Sequence, residues 1–153
     1  AALLNGVITA SFAPAPTEAT DPYVAAFKKI NDEFNKGPDK TWDNNVLQGM
    51  NIAYLTTSAL LGAGKNLTRP GIIKYIESNG TKLSSAALSP LGYSAKTHEA
   101  FTGFWIGAYD ASSNLKPIDG TRKVWTTDSA KGAVTELKYT RPAIAADALP
   151  KVG

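Results

Sequence analysis

Apolar residues in the first half of the chain recur at helical spacing. One stripe follows Asp21 and Pro22, a pair that favours an N-cap and a first helical residue. The stripe consists of Tyr23, Phe27, Ile30 and Phe34. This pattern predicts a helix with one buried apolar face. A further helix is predicted after Thr68, with Ile72, Ile73 and Ile76 as its buried face.

The longest predicted helix lies between Thr41 and Gly64, with Asp43 as its N-cap. Gly62 and Gly64 are residues that can end it. Apolar side chains cover most of its circumference: Val46, Leu47, Met50, Ile52, Ala53, Leu55, Ala59, Leu60 and Leu61. We therefore expect this helix to be covered on more than one side, with the rest of the chain packed around it.

Strand signals lie on both sides of the helical region. Residues 6–12, GVITASF, are β-prone, and residues 101–109, FTGFWIGAY, are apolar on both alternating faces. The second pattern is typical of a strand with helices on both sides. Residues 122–126 and 134–139 are weaker candidates, 110–120 a turn region, and 141–153 a tail. The order predicts an α/β fold, but with too few strands for a complete doubly wound domain.

Composition narrows the choice of protein class. The 153 residues are 43% hydrophobic and 19% charged, a balance typical of one globular domain. The chain has no cysteine, which excludes disulfides and thiolate chemistry. The formal net charge is +3, with lysines spread along the chain and no arginine-rich tract, so we expect no nucleic-acid partner.

Candidate catalytic chemistry is sparse. His98, the only histidine, is followed by Glu99, but a second histidine at zinc-site spacing is missing. The chain has no G-x-S-x-G nucleophile motif. We therefore expect no enzyme, no cofactor and no metal site, and a small hydrolase using His98 and Glu99 is the least favoured alternative. Trp42, just before a helix start, is a candidate for the edge of a ligand cleft.

The chain resembles the substrate-binding subunits of branched-chain amino acid type ABC transporters, which belong to the periplasmic-binding-protein-like type I family. In that family a D-P-x-V-x-x-F helix precedes a G-Y-D-A-type helix. The first helix is matched by Asp21, Pro22, Val24 and Phe27, and the second by Gly49, Met50, Asn51, Ala53, Ala59 and Leu60. Residues 89–120 are similar to the family's later loop, histidine and strand.

This resemblance implies that residues 1–153 are a single C-terminal segment of a two-lobed protein. Residues 13–127 would form part of lobe one, and 1–12 and 128–153 a lobe-crossing strand and a tail. The implied fold is a partial three-layer lobe, with helices packed on a short mixed sheet. Apolar surface and unpaired strand edges left by such a segment would favour a homodimer.

The resemblance also implies a function, the binding of a small polar or aromatic solute of amino-acid type. The protein would act outside the cytoplasm, in the periplasm or outside the cell, with or without a lipid anchor. Its partners would be that solute and the membrane permease of an ABC transporter. Asn45 and Gln48 would offer amide hydrogen bonds, Phe12 and Met50 an apolar wall, and Trp42 the cleft edge. The alternative within the same fold is a ligand-sensing regulatory domain.

Overall fold

The computed structural model describes residues 2–126 and 133–150, and within them it contains three α-helices and one five-stranded antiparallel sheet. The helices are α1 (Pro22–Phe34), α2 (Asn44–Ala63) and α3 (Arg69–Asn79). The strands are β1 (Ile8–Ser11), β2 (Gly103–Tyr109), β3 (Leu115–Pro117), β4 (Val124–Thr126) and β5 (Glu136–Leu137). Ala1, residues 127–132 and residues 151–153 lie outside the described residues. They include Ala1 of the predicted lobe-crossing strand, residue 127 of the predicted lobe-one part, and residues 128–132 and 151–153 of the predicted tail.

The starts of the three helices are those that the sequence predicted. The Asp21 carboxylate accepts hydrogen bonds from the backbone N–H groups of Tyr23 and Val24. Asp43 accepts from Val46 at 2.9 Å, and the Thr68 hydroxyl from Gly71. Each cap satisfies a backbone donor that has no partner inside its helix. None of the helices in the described part of the chain combines the length and the hydrophobicity that a membrane span requires.

Strand β2 is the centre of the sheet. It pairs with β1 on one edge, and with β3 and β4 on the other. In the pair of β1 and β2, Ser11 lies opposite Trp105. Strand β5 pairs with β4. All of these pairs are antiparallel, so the prediction of a mixed sheet was wrong. Asp110 accepts hydrogen bonds from the backbone of Ser112 and Asn114, and this turn lets β3 form where only a turn was predicted.

The two faces of β2 differ in burial, so the prediction that helices cover both was wrong. Trp105 is fully buried, and its Nε1 donates to the carbonyl of Ala13 at 2.7 Å. On the opposite face Ile106 is 38% exposed, and Ile8 of the neighbouring strand is 61% exposed. Antiparallel sheets commonly leave one face to solvent, and here an extended segment covers part of the other.

The hydrophobic core lies between α1 and α2. It consists of Tyr23, Val24, Phe27, Leu47, Tyr54 and Ala86. Its three aromatic rings meet at tilted or edge angles, with centroids 5.7–6.2 Å apart, a geometry that the ring quadrupoles favour. The apolar stripe of α1 was only half right: Phe34 is 72% exposed and Ile30 half-buried, whereas Asn31 is buried.

One face of α2 is buried, and the prediction that this helix is covered on more than one side was wrong. Ile52, Leu60 and Leu61 are exposed. Asn51 is fully buried instead. Its side-chain oxygen accepts a hydrogen bond from the backbone of Ala86 at 2.8 Å, whereas its Nδ2 has no hydrogen-bond partner among the described residues. In α3, Ile72 and Ile76 are half-buried and Ile73 is exposed, so the predicted buried face is only partly covered.

The segment from Arg141 onward packs on α1 rather than forming a loose tail. Arg141 is ion-paired with Asp21, and its guanidinium lies 5.0 Å from the ring centroid of Tyr23. The Tyr23 hydroxyl donates to the carbonyl of Pro142 at 2.7 Å, and Ile144 packs against the core. The start of α1 is therefore closed by residues more than a hundred positions away.

Candidate functional site

A cleft of about 630 Å³ lies where β1, the start of α2 and the β2–β3 hairpin approach one another. We call it the N-terminal cleft. Its volume falls within the range of about 300–1,000 Å³ that is usual for small-molecule sites. The cleft is lined by Leu4, Thr9, Ala10, Ser11, Phe12, Ala15, Pro16, Thr17, Trp42, Asp43, Asn44, Asn45, Gln48, Tyr109, Ser113, Asn114 and Leu115.

Side-chain amides from the first turns of α2 form one side of this cleft. Asn45 and Gln48 are three residues apart, so they share one face of the helix. Within the described residues no hydrogen bond engages either side chain, and Asn45 is exposed. Each amide carries both donors and acceptors, so both are available to a ligand.

Two aromatic rings in the cleft are held in fixed orientations. The Nε1 of Trp42 donates to the carbonyl of Pro16 at 2.9 Å, which ties the indole to the segment that follows β1. Phe12 stacks in parallel on Phe101, with ring centroids 4.4 Å apart. Because these contacts are made within the protein, the rings do not need to be ordered when a ligand arrives.

The β2–β3 turn forms the far side of the cleft. Asp110 accepts backbone hydrogen bonds from Asn114 at 2.8 Å and Ser112 at 2.9 Å. These bonds favour the ionised carboxylate, so they lower the pKa of Asp110, with that from Asn114 the largest cause. The turn thereby places Asn114 at the cleft wall, beside Tyr109 and Leu115.

Four of the five predicted ligand-binding residues line this one cleft: Phe12, Trp42, Asn45 and Gln48. Met50 does not; it is half-buried and packs against the core. Two residues at about 100° each separate Met50 from Gln48, so Met50 lies on another side of α2. Sequence reasoning missed Thr9, Tyr109 and Asn114, which come to the cleft only through the pairing of β2 with β1 and β3.

A second cleft, of about 790 Å³, lies beside β4, β5 and the Arg141 segment and contains Arg122 and Arg141. Both arginines already have carboxylate partners. Arg122 contacts Glu18 at 2.5 Å, and Arg141 is paired with Asp21. The second cleft is therefore built around two internal ion pairs.

His98 lies in a loop and is 68% exposed, with its Nε2 3.0 Å from the Glu77 carboxylate. This geometry is a surface contact between α3 and the loop. Among the described residues, no three histidine, aspartate or glutamate side chains are grouped so that they could hold a metal ion.

Comparisons of this chain with protein-family models, with curated proteins and with solved structures found no match.

Proposed function

We propose that this chain is part of an extracytoplasmic solute-binding protein and that its N-terminal cleft holds a small polar or aromatic solute. The observation that carries the proposal is that Phe12, Trp42, Asn45 and Gln48 line one cleft. Fixed aromatic surface beside a few uncommitted polar groups is the usual composition of a small-molecule site.

The wider role rests on the resemblance to type I solute-binding proteins. We propose that the D-P helix of those proteins corresponds to α1, which Asp21 caps and Pro22 begins. The proposed fold is part of one lobe of such a protein, and the cleft residues would form one wall of the space between two lobes. Closure of the lobes would bury the solute and present the closed form to a membrane permease in the periplasm or outside the cell.

NMR titration of this chain with a panel of amino acids, aromatic acids, sugars and short amides tests the proposal. We expect saturable shifts of the backbone amides around Phe12, Trp42 and Gln48, in the millimolar range because one wall buries only part of a ligand. Asn45→Ala should weaken the response. Asn66→Ala, which removes an exposed amide outside the cleft, is the matched control. If no solute of the panel shifts the backbone amides of the cleft residues, the proposal is refuted.

The proposal includes self-association of this chain. The exposed face of the sheet carries Ile8 at 61% and Ile106 at 38% exposure, on paired strands. An open apolar sheet face with an edge strand favours contact with a second copy. Light scattering should therefore give the mass of a dimer, and Ile8→Lys should shift it to a monomer. A monomer at all concentrations of the unmodified chain would contradict this part of the proposal.

A further inference from the structure

We infer that the N-terminal cleft recognises an uncharged, polyhydroxylated ring such as a sugar, in preference to an amino acid or another carboxylate. The inference rests on the proposed function, and it names the class of solute. Its basis is the chemistry of the groups that line the cleft: their charge, their hydrogen-bonding capacity and their aromatic faces.

The charge of the lining disfavours an anionic ligand. Among the described residues that line the cleft, none is lysine, arginine or histidine, and the only carboxylate is that of Asp43. Asp43 accepts from the N–H of Val46, so it already occupies the positive end of the α2 dipole. A carboxylate ligand would lose hydration without gaining a cationic partner, which is costly on burial.

The polar groups of the cleft are neutral and bifunctional. Hydroxyls come from Thr9 and Thr17, and amides from Asn45 and Gln48. The Ser11 hydroxyl also lines the cleft, but it is already bonded to the backbone of Ala13. Hydroxyls and amides can both donate and accept hydrogen bonds. A ring bearing several hydroxyl groups presents the same mixture of donors and acceptors, so it matches a lining of this kind better than a carboxylate, which only accepts.

The aromatic rings offer carbon faces rather than polar edges. The Nε1–H group of Trp42 donates to the carbonyl of Pro16, and one face of the Phe12 ring stacks on Phe101. The face of an aromatic ring carries a negative electrostatic potential, so it attracts the weakly positive C–H groups along one side of a sugar ring. The cleft therefore combines a surface for the C–H face of a sugar with amides and hydroxyls for its rim.

The contrast with the second cleft supports this assignment. Lys123 and Lys138 lie there, together with Arg122 and Arg141. Within the lining residues that the structure describes, basic side chains thus belong to the second cleft and not to the N-terminal one. The N-terminal cleft is the one suited to a neutral solute.

Glucose and glucuronate form the test pair, because they differ only in the carboxylate that replaces one CH₂OH group. NMR titration of the full chain should give saturable shifts at residues 9–12 and 42–48 with glucose. Glucuronate should bind at least about tenfold more weakly, a difference of about 1.4 kcal/mol. Leucine and phenylalanine serve as amino-acid probes and should also bind more weakly than glucose.

Three variants in the cleft and one control outside it locate the interaction. Trp42→Ala should abolish the glucose shifts, but Trp42 also packs against the core. Asn45 is exposed, so Asn45→Ala should weaken glucose binding without disturbing the core. Gln48→Lys places a cation in the cleft, so it should raise the affinity for glucuronate relative to glucose. Asn66→Ala should leave both affinities unchanged.

The outcomes separate this inference from the proposed function. Stronger cleft binding of leucine, phenylalanine or glucuronate than of glucose would overturn the inference and leave the proposed solute-binding function standing. Glucose shifts that survive both Trp42→Ala and Asn45→Ala would place the sugar elsewhere and overturn the inference. If no probe of any class shifts the cleft residues, both proposals fail.

Discussion

Removing the Asp21 side chain should be among the most damaging single changes to this fold. Asp21 is 8% exposed; it caps α1 and pairs with Arg141, whose side chain is 14% exposed. Loss of an N-cap costs about 0.5–2 kcal/mol. An arginine left buried without its partner costs about 3–5 kcal/mol. Because the two effects share one carboxylate, we expect Asp21→Ala to lower the free energy of unfolding by at least about 3 kcal/mol.

Urea denaturation followed by circular dichroism measures this loss. A double-mutant cycle with Arg141→Met separates the contribution of the ion pair from that of the helix cap. Asp21→Asn keeps a capping oxygen and removes the charge, so it isolates the ion pair. Combining Asp21→Ala with Arg141→Met should cost less than the sum of the single changes, since neither charge is then left alone. Asp32→Ala, which breaks the exposed pair with Lys28, is the control and should cost under about 0.5 kcal/mol. A loss under about 1 kcal/mol for Asp21→Ala would refute the reasoning.

Three further predictions concern the core and the helices. Phe27→Ala, at a fully buried ring, should cost about 3–5 kcal/mol in chemical denaturation; a loss under about 1 kcal/mol would contradict its place in the core. Burial raises the pKa of Tyr23 from 10.0 to about 12, so stability should be retained below pH 10 and fall as the pH rises towards 12. Tyr23→Phe should make that fall shallower, and an unchanged slope in alkaline denaturation would assign it to other groups. An added Cβ at Gly62 would lie 1.9 Å from the Tyr75 ring, whereas at Gly49 it would meet open space. Gly49→Ala should therefore raise the melting temperature, and Gly62→Ala should raise it less, because the Tyr75 ring must first move aside; equal shifts would show that helix propensity alone decides.

The helix starts were predictable because their signals are local. An aspartate or threonine side chain at the cap bonds to the backbone two or three residues ahead, as at Asp43 and Thr68. Burial was less predictable, because it depends on what lies opposite each helix. Ile52 faces solvent, whereas Asn51 faces Ala86 from a distant segment. Counting apolar residues along α2 could not reveal that contact.

The cleft was predicted in part for the same reason. Phe12, Trp42, Asn45 and Gln48 lie in short stretches around β1 and the start of α2, where local geometry limits their positions. The far side of the cleft depends on the pairing of β3 with β2. Strand β3 has only three residues, Leu, Lys and Pro, which is too short for an alternating pattern to be recognised in the sequence.

The sheet joins residues that are far apart in sequence, and this has a consequence for the order of events during synthesis. The Trp105–Ala13 hydrogen bond spans 92 residues, which a ribosome adds in roughly 5–20 s at about 5–20 residues per second. Helices α1 and α2 lie close in sequence and can associate within that interval, but β1 has no partner until β2 emerges. Ile8 and the backbone groups of β1 are then open to other nascent chains. The yield of correctly folded protein should therefore depend on elongation speed and on chaperones that cover β1 until its partner arrives.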